Sequence, residues 1–105
     1  IDPIQIGANL IQQLNQIVSR SVDPSEKAVI SLGVFRSGTS ANIIPADSHI
    51  SGSIRTFSEE VFLVIKEKME NICKGLEIAH GAKIELSMNE GYPPTINTKV
   101  NKKPF

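Results

Sequence analysis

Two polar residues in the middle of the chain are the best candidates for binding a small polar ligand. Arg55 lies in a stretch that alternates apolar and polar residues, on the same side as small serines, and a guanidinium can bind a carboxylate through two hydrogen bonds. Asn42 lies in a segment of turn composition, and its side-chain amide can donate to a substrate oxygen. The plainer interpretation is a solvated arginine and a turn asparagine, and periodicity alone does not decide between the two.

Residues that bind metals or act as nucleophiles are few. The chain contains two histidines, His49 and His80, and one cysteine, Cys73. None has a second donor at metal-ligand spacing, and neither a phosphate-binding glycine loop nor a nucleophile elbow occurs. We expect Cys73 to be a small buried residue, His80 to lie near a helix end and His49 to lie on a polar sheet surface. The sequence therefore predicts no metal site and no complete catalytic constellation in this chain.

Length and composition limit the class of protein. The 105 residues, 40% of them apolar, suffice for one compact domain. Eleven basic and eleven acidic residues give a net charge of zero, without the basic stripe that nucleic acid would require. No apolar run is long enough to span a bilayer, and no signal-peptide pattern is present. A single cysteine is compatible with a reducing compartment, so we expect a cytoplasmic domain that binds neither nucleic acid nor membrane.

Two amphipathic helices are predicted. The first covers residues 3–20, with Asp2 as its cap and Pro3 at its first position. Its apolar stripe is predicted to consist of Ile4, Ala8, Ile11, Leu14 and Val18, widened by Leu10 and Ile17. The second helix opens at Ser58 and stops at Gly81. Its buried stripe is predicted to consist of Val61, Ile65, Met69, Ile72, Leu76 and Ala79.

Three strands are predicted, over residues 27–36, 48–57 and 83–89. The first is apolar on both faces, and its close connection to the second predicts that the two are antiparallel. In the second strand Ile50, Gly52 and Ile54 alternate with polar residues, so Arg55 should point away from the core.

The order helix, strand, strand, helix, strand predicts an α+β fold. It matches a ferredoxin-like two-layer sandwich, an antiparallel sheet with two helices on one face, whose first and central strand is missing from this chain. Residues 92–105 contain Pro93 and Pro94 and a polar tail, which predicts a connector that leaves the domain. We therefore expect a domain over residues 1–91 that is incomplete at its N-terminus.

Five segments together resemble a known family: DPI at residues 2–4, QIVSR with VDP over 16–24, GTSANIIP at 38–45, GSIRTF at 52–57 and GYPPT at 91–95. Their order and spacing resemble the lid and dimerisation domain of the metal-dependent aminoacylase and carboxypeptidase family. Within it, the bacterial N-acyl-amino-acid amidohydrolases and hippurate hydrolases are the most similar branch. The resemblance covers nearly the whole chain.

The resemblance implies roles for the two polar candidates. The asparagine before the Ile-Pro pair and the arginine of the Arg-Thr-Phe motif lie at the substrate in that family, and they correspond to Asn42 and Arg55. Arg55 would bind the carboxylate of the amino-acid portion, and Asn42 would position the substrate or polarise the scissile carbonyl. The family's lid histidine, which acts in the partner subunit's active site, belongs to a motif upstream of this segment. Neither His49 nor His80 corresponds to it.

The resemblance further implies a parent enzyme that hydrolyses the amide bond of N-acyl amino acids or related peptides. One or two divalent metals, zinc or manganese, would bind to a catalytic domain in the same polypeptide, where a metal-bound water and a glutamate base attack the amide. This segment alone would be inactive. Family members dimerise through this domain, so we expect a homodimer that pairs through the 27–36 edge strand and the first helix.

Two other interpretations fit the element order. One is a free-standing ferredoxin-like module that binds a small molecule or regulates another protein. The other is an RNA-binding sheet, which would need exposed aromatic residues and a basic surface. The chain has four phenylalanines, one tyrosine and no net charge, and this composition disfavours the RNA-binding alternative.

Overall fold

The computed structural model describes residues 2–89, 91 and 93–102, which form two layers. The helices are α1 (Pro3–Asn15), α2 (Ile17–Ser21) and α3 (Glu59–His80), and the strands are β1 (Ala28–Arg36), β2 (Asp47–Thr56), β3 (Ala82–Asn89) and β4 (Thr95–Lys102). All neighbouring strands are antiparallel, in the order β1-β2-β4-β3. The predicted α+β two-layer sandwich is confirmed. No described helix is long and apolar enough to cross a membrane.

The C-terminal strand β4 corrects the connector predicted over residues 92–105. Residues 95–102 lie in the centre of the sheet and pair with β2 on one side and β3 on the other. Ile96 and Val100 are fully buried there, and they alternate with polar residues at the spacing of a strand. This alternation was not recognised in the sequence because two prolines precede β4 and many of its residues are polar. β4 thereby occupies the central position that we expected to be vacant; residues 92 and 103–105 lie outside the described residues.

The predicted first helix is interrupted at Gln16, which ends α1 and begins α2. The predicted cap is confirmed, because an Asp2 carboxylate oxygen accepts from the Ile4 N–H at 3.0 Å. The predicted stripe is wrong in part, since Ile4 is 39% exposed and Ala8 is exposed. The buried face consists instead of Ile6, Leu10, Leu14 and Ile17.

Glycine at position 7 explains which face of α1 turns inward. A Cβ built on Gly7 would lie 2.8 Å from the Phe35 ring and 2.9 Å from the Ser48 hydroxyl oxygen. The helix backbone therefore approaches the sheet so closely at this point that a larger residue would require the Phe35 ring or the Ser48 hydroxyl to move. Both possible stripes recur at spacings of three and four, so periodicity alone cannot choose between them.

Helix α3 begins and ends where the sequence predicts. The Ser58 hydroxyl accepts from the Val61 N–H at 3.3 Å, and Gly81 ends the helix in the left-handed conformation with φ of 65°. Its buried residues are Val61, Ile65, Met69, Cys73 and Leu76. Of the other two predicted stripe residues, Ile72 is half-buried and Ala79 is exposed. Cys73 is buried in their place, as expected for that residue.

The sheet has one face against the helices and one open face. The residues of the open face are Val29, Ser31, Val34, Arg36, Asp47, His49, Ser51, Ser53, Arg55, Lys83, Glu85, Ser87, Asn89, Thr95, Asn97, Lys99 and Asn101. The opposite face is apolar and includes Ile50, Ile54, Ile84, Ile96 and Val100. The open face is therefore the polar surface on which the sequence placed Arg55.

A bulge interrupts β1 at its middle. The register passes from Ser31 opposite Ser53 to Val34 opposite Ser51, so two residues of β1 lie opposite Gly52 alone. A Cβ built on Gly52 would clash with the Ser31 carbonyl oxygen, which is backbone and cannot rotate away. Glycine at position 52 therefore permits the bulge.

Candidate functional site

Arg55 lies on the open face near the end of β2, opposite Val29 of β1. The preceding residue, Ile54, is fully buried and Arg55 is exposed, as the alternation predicts. Among the described residues Arg55 forms no ion pair. Its guanidinium is thus available to an anion from outside the domain.

A shallow groove lies beyond Arg55, where β2 leads into α3. It is lined by Thr56, Phe57, Ser58, Glu59, Phe62, Leu63 and Pro94. Phe57 is 89% exposed and Leu63 is 54% exposed. The groove is therefore apolar in part, and Arg55 is not among the residues that line it.

Asn42 lies in the loop between β1 and β2, and it is exposed. Its Oδ1 accepts from the Ser40 hydroxyl at 2.5 Å, which orients the side chain. The ends of the loop are joined by the Ser37 hydroxyl, which donates to the Asp47 carbonyl at 2.7 Å. The loop is thus held at its base, and Asn42 lies on its outer part.

The structure does not bring Asn42 and Arg55 together within one chain. The Asn42 loop leaves the sheet beside His49, which pairs with Arg36, the last residue of β1. Arg55 lies six residues further along β2, and a strand rises about 3.3 Å per residue. About 20 Å of sheet therefore separates the two regions, and one copy does not present both side chains to a single small ligand.

Charged residues gather on the open face at the end near the Asn42 loop. One row across the sheet contains Arg36, His49, Lys99 and Glu85, each opposite the next in the strand register. Asp47 lies beside this row, with an oxygen 3.5 Å from His49 Nε2 and another 4.0 Å from Lys99 Nζ. Of this group, only His49 was considered as a possible site residue from the sequence. The others depend on the cross-strand register and on the pairing of β4, for which the sequence carries no direct signal.

The remaining candidate groups show no sign of reactivity. Burial, followed by the charges of Glu77 and Glu70, raises the pKa of the Cys73 thiol to about 11, so the thiol is protonated at neutral pH. His80 is exposed in the last turn of α3, as expected. Within the described ranges no three His, Cys, Asp or Glu side chains converge as metal ligands do.

The two edges of the sheet differ. At the β3 edge, the outward Ile84 N–H donates to Glu77 Oε2 at 2.8 Å, so a side chain from α3 covers the strand. The β1 edge exposes apolar side chains instead, with Val29 55%, Val34 38% and Phe35 39% exposed. An uncovered, apolar edge strand is the kind that pairs with another chain.

Several known proteins are similar to this domain in sequence. Residues 1–80 match the description of a peptidase dimerisation domain of the M20 family. The chain is 44% identical over 97 residues to an N-acyl-L-amino acid amidohydrolase of Geobacillus stearothermophilus, covering 92% of this chain and 26% of that protein. It is 41% identical over 96 residues to a hippurate hydrolase of Campylobacter jejuni, covering 91% of this chain and 25% of that protein.

Further similarities agree with these. An N-acetyldiaminopimelate deacetylase of Brevibacillus brevis is 38% identical, with 91% of this chain and 26% of that protein covered. A crystal structure of a suggested aminohydrolase from methicillin-resistant Staphylococcus aureus has the same fold, with a TM-score of 0.74 and 23% identity over 98% of this chain and 24% of that chain. The chain thus spans about a quarter of the length of the relatives it matches. It belongs to the M20 peptidase dimerisation domain family.

Proposed function

We propose that this chain is the substrate-covering and dimerisation domain of a longer metal-dependent amidohydrolase that cleaves the amide bond of N-acyl amino acids or related peptides. The names of the relatives support the activity, because they include an N-acyl-L-amino acid amidohydrolase and a hippurate hydrolase. The observation that carries the proposal is Arg55, an exposed guanidinium on the open face without an ion-pair partner among the described residues. Its role is to bind the substrate carboxylate.

The alternatives lose support for separate reasons. The named relatives are hydrolases about four times as long as the matched segment, which favours a domain of a longer amidohydrolase over a free-standing binding module. An RNA-binding sheet stacks bases on exposed aromatic side chains. The described residues of the open face include neither phenylalanine nor tyrosine.

The β1 edge is the proposed dimer contact. Its apolar residues Val29, Val34 and Phe35 are exposed, whereas Glu77 covers the β3 edge. Helix α1 flanks β1, because Gly7 lies against Phe35, and the exposed Ile4 can extend the contact. Two copies related by a two-fold axis would form one continuous antiparallel sheet through β1.

This pairing brings the two proposed substrate residues together. In an antiparallel pair of β1 strands, the end that carries the Asn42 loop in one copy lies beside the Arg55 end of the other. The partner's Asn42 can then reach the region of Arg55, although the two residues lie at opposite ends of β2 within one chain. Dimerisation would therefore complete the substrate site, with Arg55 on the carboxylate and the partner's Asn42 on the acyl portion.

The metal that the family implies, zinc or manganese, does not fit the described residues of this domain. Neither histidine lies with two further ligands, and the cysteine thiol is buried and protonated. We therefore assign the metal and the hydrolytic step to a catalytic domain of the same polypeptide and expect this domain to be inactive by itself. The domain contributes substrate binding and exclusion of water, in a cytoplasmic enzyme for which a buried, unpaired cysteine is suitable.

The experiment is a substitution of Arg55→Ala in the intact enzyme, with N-acetyl amino acids and the matching N-acetyl amino acid amides as substrates. Hydrogen bonds to a charged group contribute about 1.5–3 kcal/mol, so kcat/KM for the carboxylates should fall about 10- to 100-fold. Hydrolysis of the amides should change little. Lys83→Ala removes a positive charge from the far side of the same face and is the matched control. Equal losses on carboxylates and amides, or no loss, would contradict the proposal.

A further inference from the structure

The bulge in β1 determines how this strand can pair with a copy of itself. Before the bulge the open-face residues are Val29 and Ser31, and after it they are Val34 and Arg36. The open face thus changes from odd to even residue numbers along one strand. When two strands pair about an axis perpendicular to the sheet, residues opposite each other must lie on the same face. In β1, an odd residue must therefore lie opposite an even one.

One register meets this condition from Val29 to Arg36. Val29 lies opposite the partner's Arg36, and Ser31 lies opposite the partner's Val34. On the helix face, Ile30 lies opposite the partner's Phe35, which joins two apolar side chains. A shift by one residue would place open-face residues opposite helix-face residues. A shift by two would either place Ser31 of the open face opposite the partner's Leu32, which packs against the core, or leave residues 28–30 unpaired.

We propose that β1 pairs with its copy in this register, and that the partner's Arg36 thereby joins Arg55 in one carboxylate-binding site. The inference rests on the proposed function, namely on dimerisation through β1 and on carboxylate binding by Arg55. Arg55 lies opposite Val29, and Val29 lies opposite the partner's Arg36, so the three form one row on the open face. Neighbouring strands are about 4.8 Å apart, which places the two arginine backbones roughly 10 Å apart.

Both signs of charge continue this row on the partner's side. The partner's His49, Lys99 and Glu85 follow the partner's Arg36, and Asp47 contacts His49 and Lys99. The next row beside Arg55 and Val29 contains Ser53 and Ser31, which carry no charge. Neither arginine has an ion-pair partner among the described residues of its own chain. Two guanidiniums on either side of an exposed valine fit a ligand that has two carboxylates.

The chemical class that this site accommodates is an N-acyl amino acid with a second acidic group in its side chain. Arg55 would bind one carboxylate, and the partner's Arg36 would bind the other through charge-assisted hydrogen bonds. Arg36 is therefore a specificity-determining residue contributed by the partner subunit. A substrate with a neutral side chain of the same size would lack the second contact.

The first test compares N-acetylglutamate with N-acetylglutamine as competitors of a hydrolysed N-acetyl amino acid in the intact enzyme. Arg36→Gln should weaken inhibition by N-acetylglutamate about tenfold, whereas inhibition by N-acetylglutamine should not change. Lys83→Gln removes one positive charge elsewhere on the open face and should alter neither constant. If Arg36→Gln affects both inhibitors equally, or neither, the assignment is overturned.

A second test separates a contribution from the partner from one within the same chain. In a hybrid dimer of one Arg55→Ala chain and one Arg36→Ala chain, one site should keep both arginines and the other should keep neither. Titration with N-acetylglutamate should therefore count one site of wild-type affinity per hybrid dimer and none in either variant homodimer. If the two arginines acted within one chain, the hybrid would have no such site, and the proposal would fail.

The register itself is tested by oxidation. The double variant Ser31→Cys with Val34→Cys should form a disulfide between subunits, because these positions lie opposite each other. Ser31→Cys alone should remain monomeric in a denaturing gel, and so should the wild type, whose Cys73 is buried. A cross-link in the single variant, or none in the double variant of a dimeric enzyme, would overturn the register. A monomeric intact enzyme, or an Arg55→Ala variant with unchanged kcat/KM for the carboxylates, would instead contradict the proposed function.

Discussion

The two edge strands of the sheet, β1 and β3, differ in what covers them. At β3, Glu77 reaches from α3 to accept the Ile84 N–H at 2.8 Å, and charged Lys83 and Glu85 lie on the strand. At β1, the exposed side chains include Val29 and Phe35. The difference indicates that one edge is protected against association and the other is available for it, since an uncovered apolar edge would otherwise cause aggregation.

The bulge adds a second difference between the edges. Bulges often hinder pairing at an edge, but in β1 the bulge lies at the middle of the strand, where a two-fold axis would pass. Residues on either side of it then have matching faces in a symmetric pair. β3 pairs with β4 from Ala82 to Asn89 without a shift of register. The irregular edge is thus the one suited to symmetric association.

The largest expected effect comes from removing the bulge. Gly52→Ala places a Cβ against the Ser31 carbonyl oxygen, so β1 must shift or detach, and the free energy of unfolding should fall by about 3 kcal/mol. Urea denaturation measures it, together with loss of dimers in sedimentation. Gly75→Ala is the control, because a Cβ there meets nothing within 4 Å and should stabilise α3 by about 1 kcal/mol. Equal effects of the two substitutions would show that the close approach at Gly52 does not matter.

A charge on the β1 edge should break the association without unfolding the domain. Val29→Lys places a positive charge beside Arg55 and, in the proposed register, opposite the partner's Arg36. The dimer dissociation constant should rise about 10- to 100-fold, since like charges directly opposite destabilise strand pairing and an edge lysine discourages it. Sedimentation equilibrium measures this change. Ser87→Lys, at an exposed position on β3, is the matched control and should leave the constant unchanged.

Uncovering the β3 edge should have a smaller effect. Glu77→Ala removes the acceptor of the Ile84 N–H, and this part-buried hydrogen bond should contribute about 1 kcal/mol to stability. The exposed edge should also increase self-association beyond the dimer, which light scattering would detect. Glu67→Ala, on an exposed position of the same helix, serves as the comparison. If Glu77→Ala leaves both stability and association unaltered, the edges are not distinguished by this contact.

The smallest effect concerns Cys73, which lies below the β3 edge among Glu70, Glu77 and Ile84. Burial raises its pKa to about 11 from an ordinary 9.0, so between these values the unfolded chain loses the proton first. Stability should therefore fall as the pH rises from about 9 to about 11. Cys73→Ala should remove this part of the pH dependence in denaturation curves. If the stability of the variant falls equally over this pH range, other groups cause the pH dependence.

Much of the fold could be predicted from local patterns. The Asp2 and Ser58 caps, the Gly81 stop and the alternation in β2 depend on neighbours within a few residues, and the structure confirms each. The face of α1 could not be predicted, because two stripes share the same spacing and the contact of Gly7 with Phe35 decides between them. β4 was missed because the two prolines before it and its polar residues resemble a connector, whereas its burial depends on strands from either side.

The candidate site likewise contains one arginine that the sequence nominates and one that it does not. The residue types and the motif around Arg55 suffice to nominate it as a carboxylate ligand, and the alternation in β2 places it on the polar face. Arg36 has no such motif. It becomes a candidate only through the bulge, which moves it to the same face as Arg55, and through the proposed pairing of β1 with a copy.

The sequence by itself determined the ends of the helices and three of the four strands, because caps, stops and alternation act over a few residues. Its resemblance to a known family nominated Asn42 and Arg55. The tertiary structure alone decided three other features: the central place of β4, the separation of Asn42 from Arg55 by about 20 Å of strand, and the contrast between a covered and an uncovered edge. Each depends on contacts between residues that are distant in the chain, which no local pattern specifies.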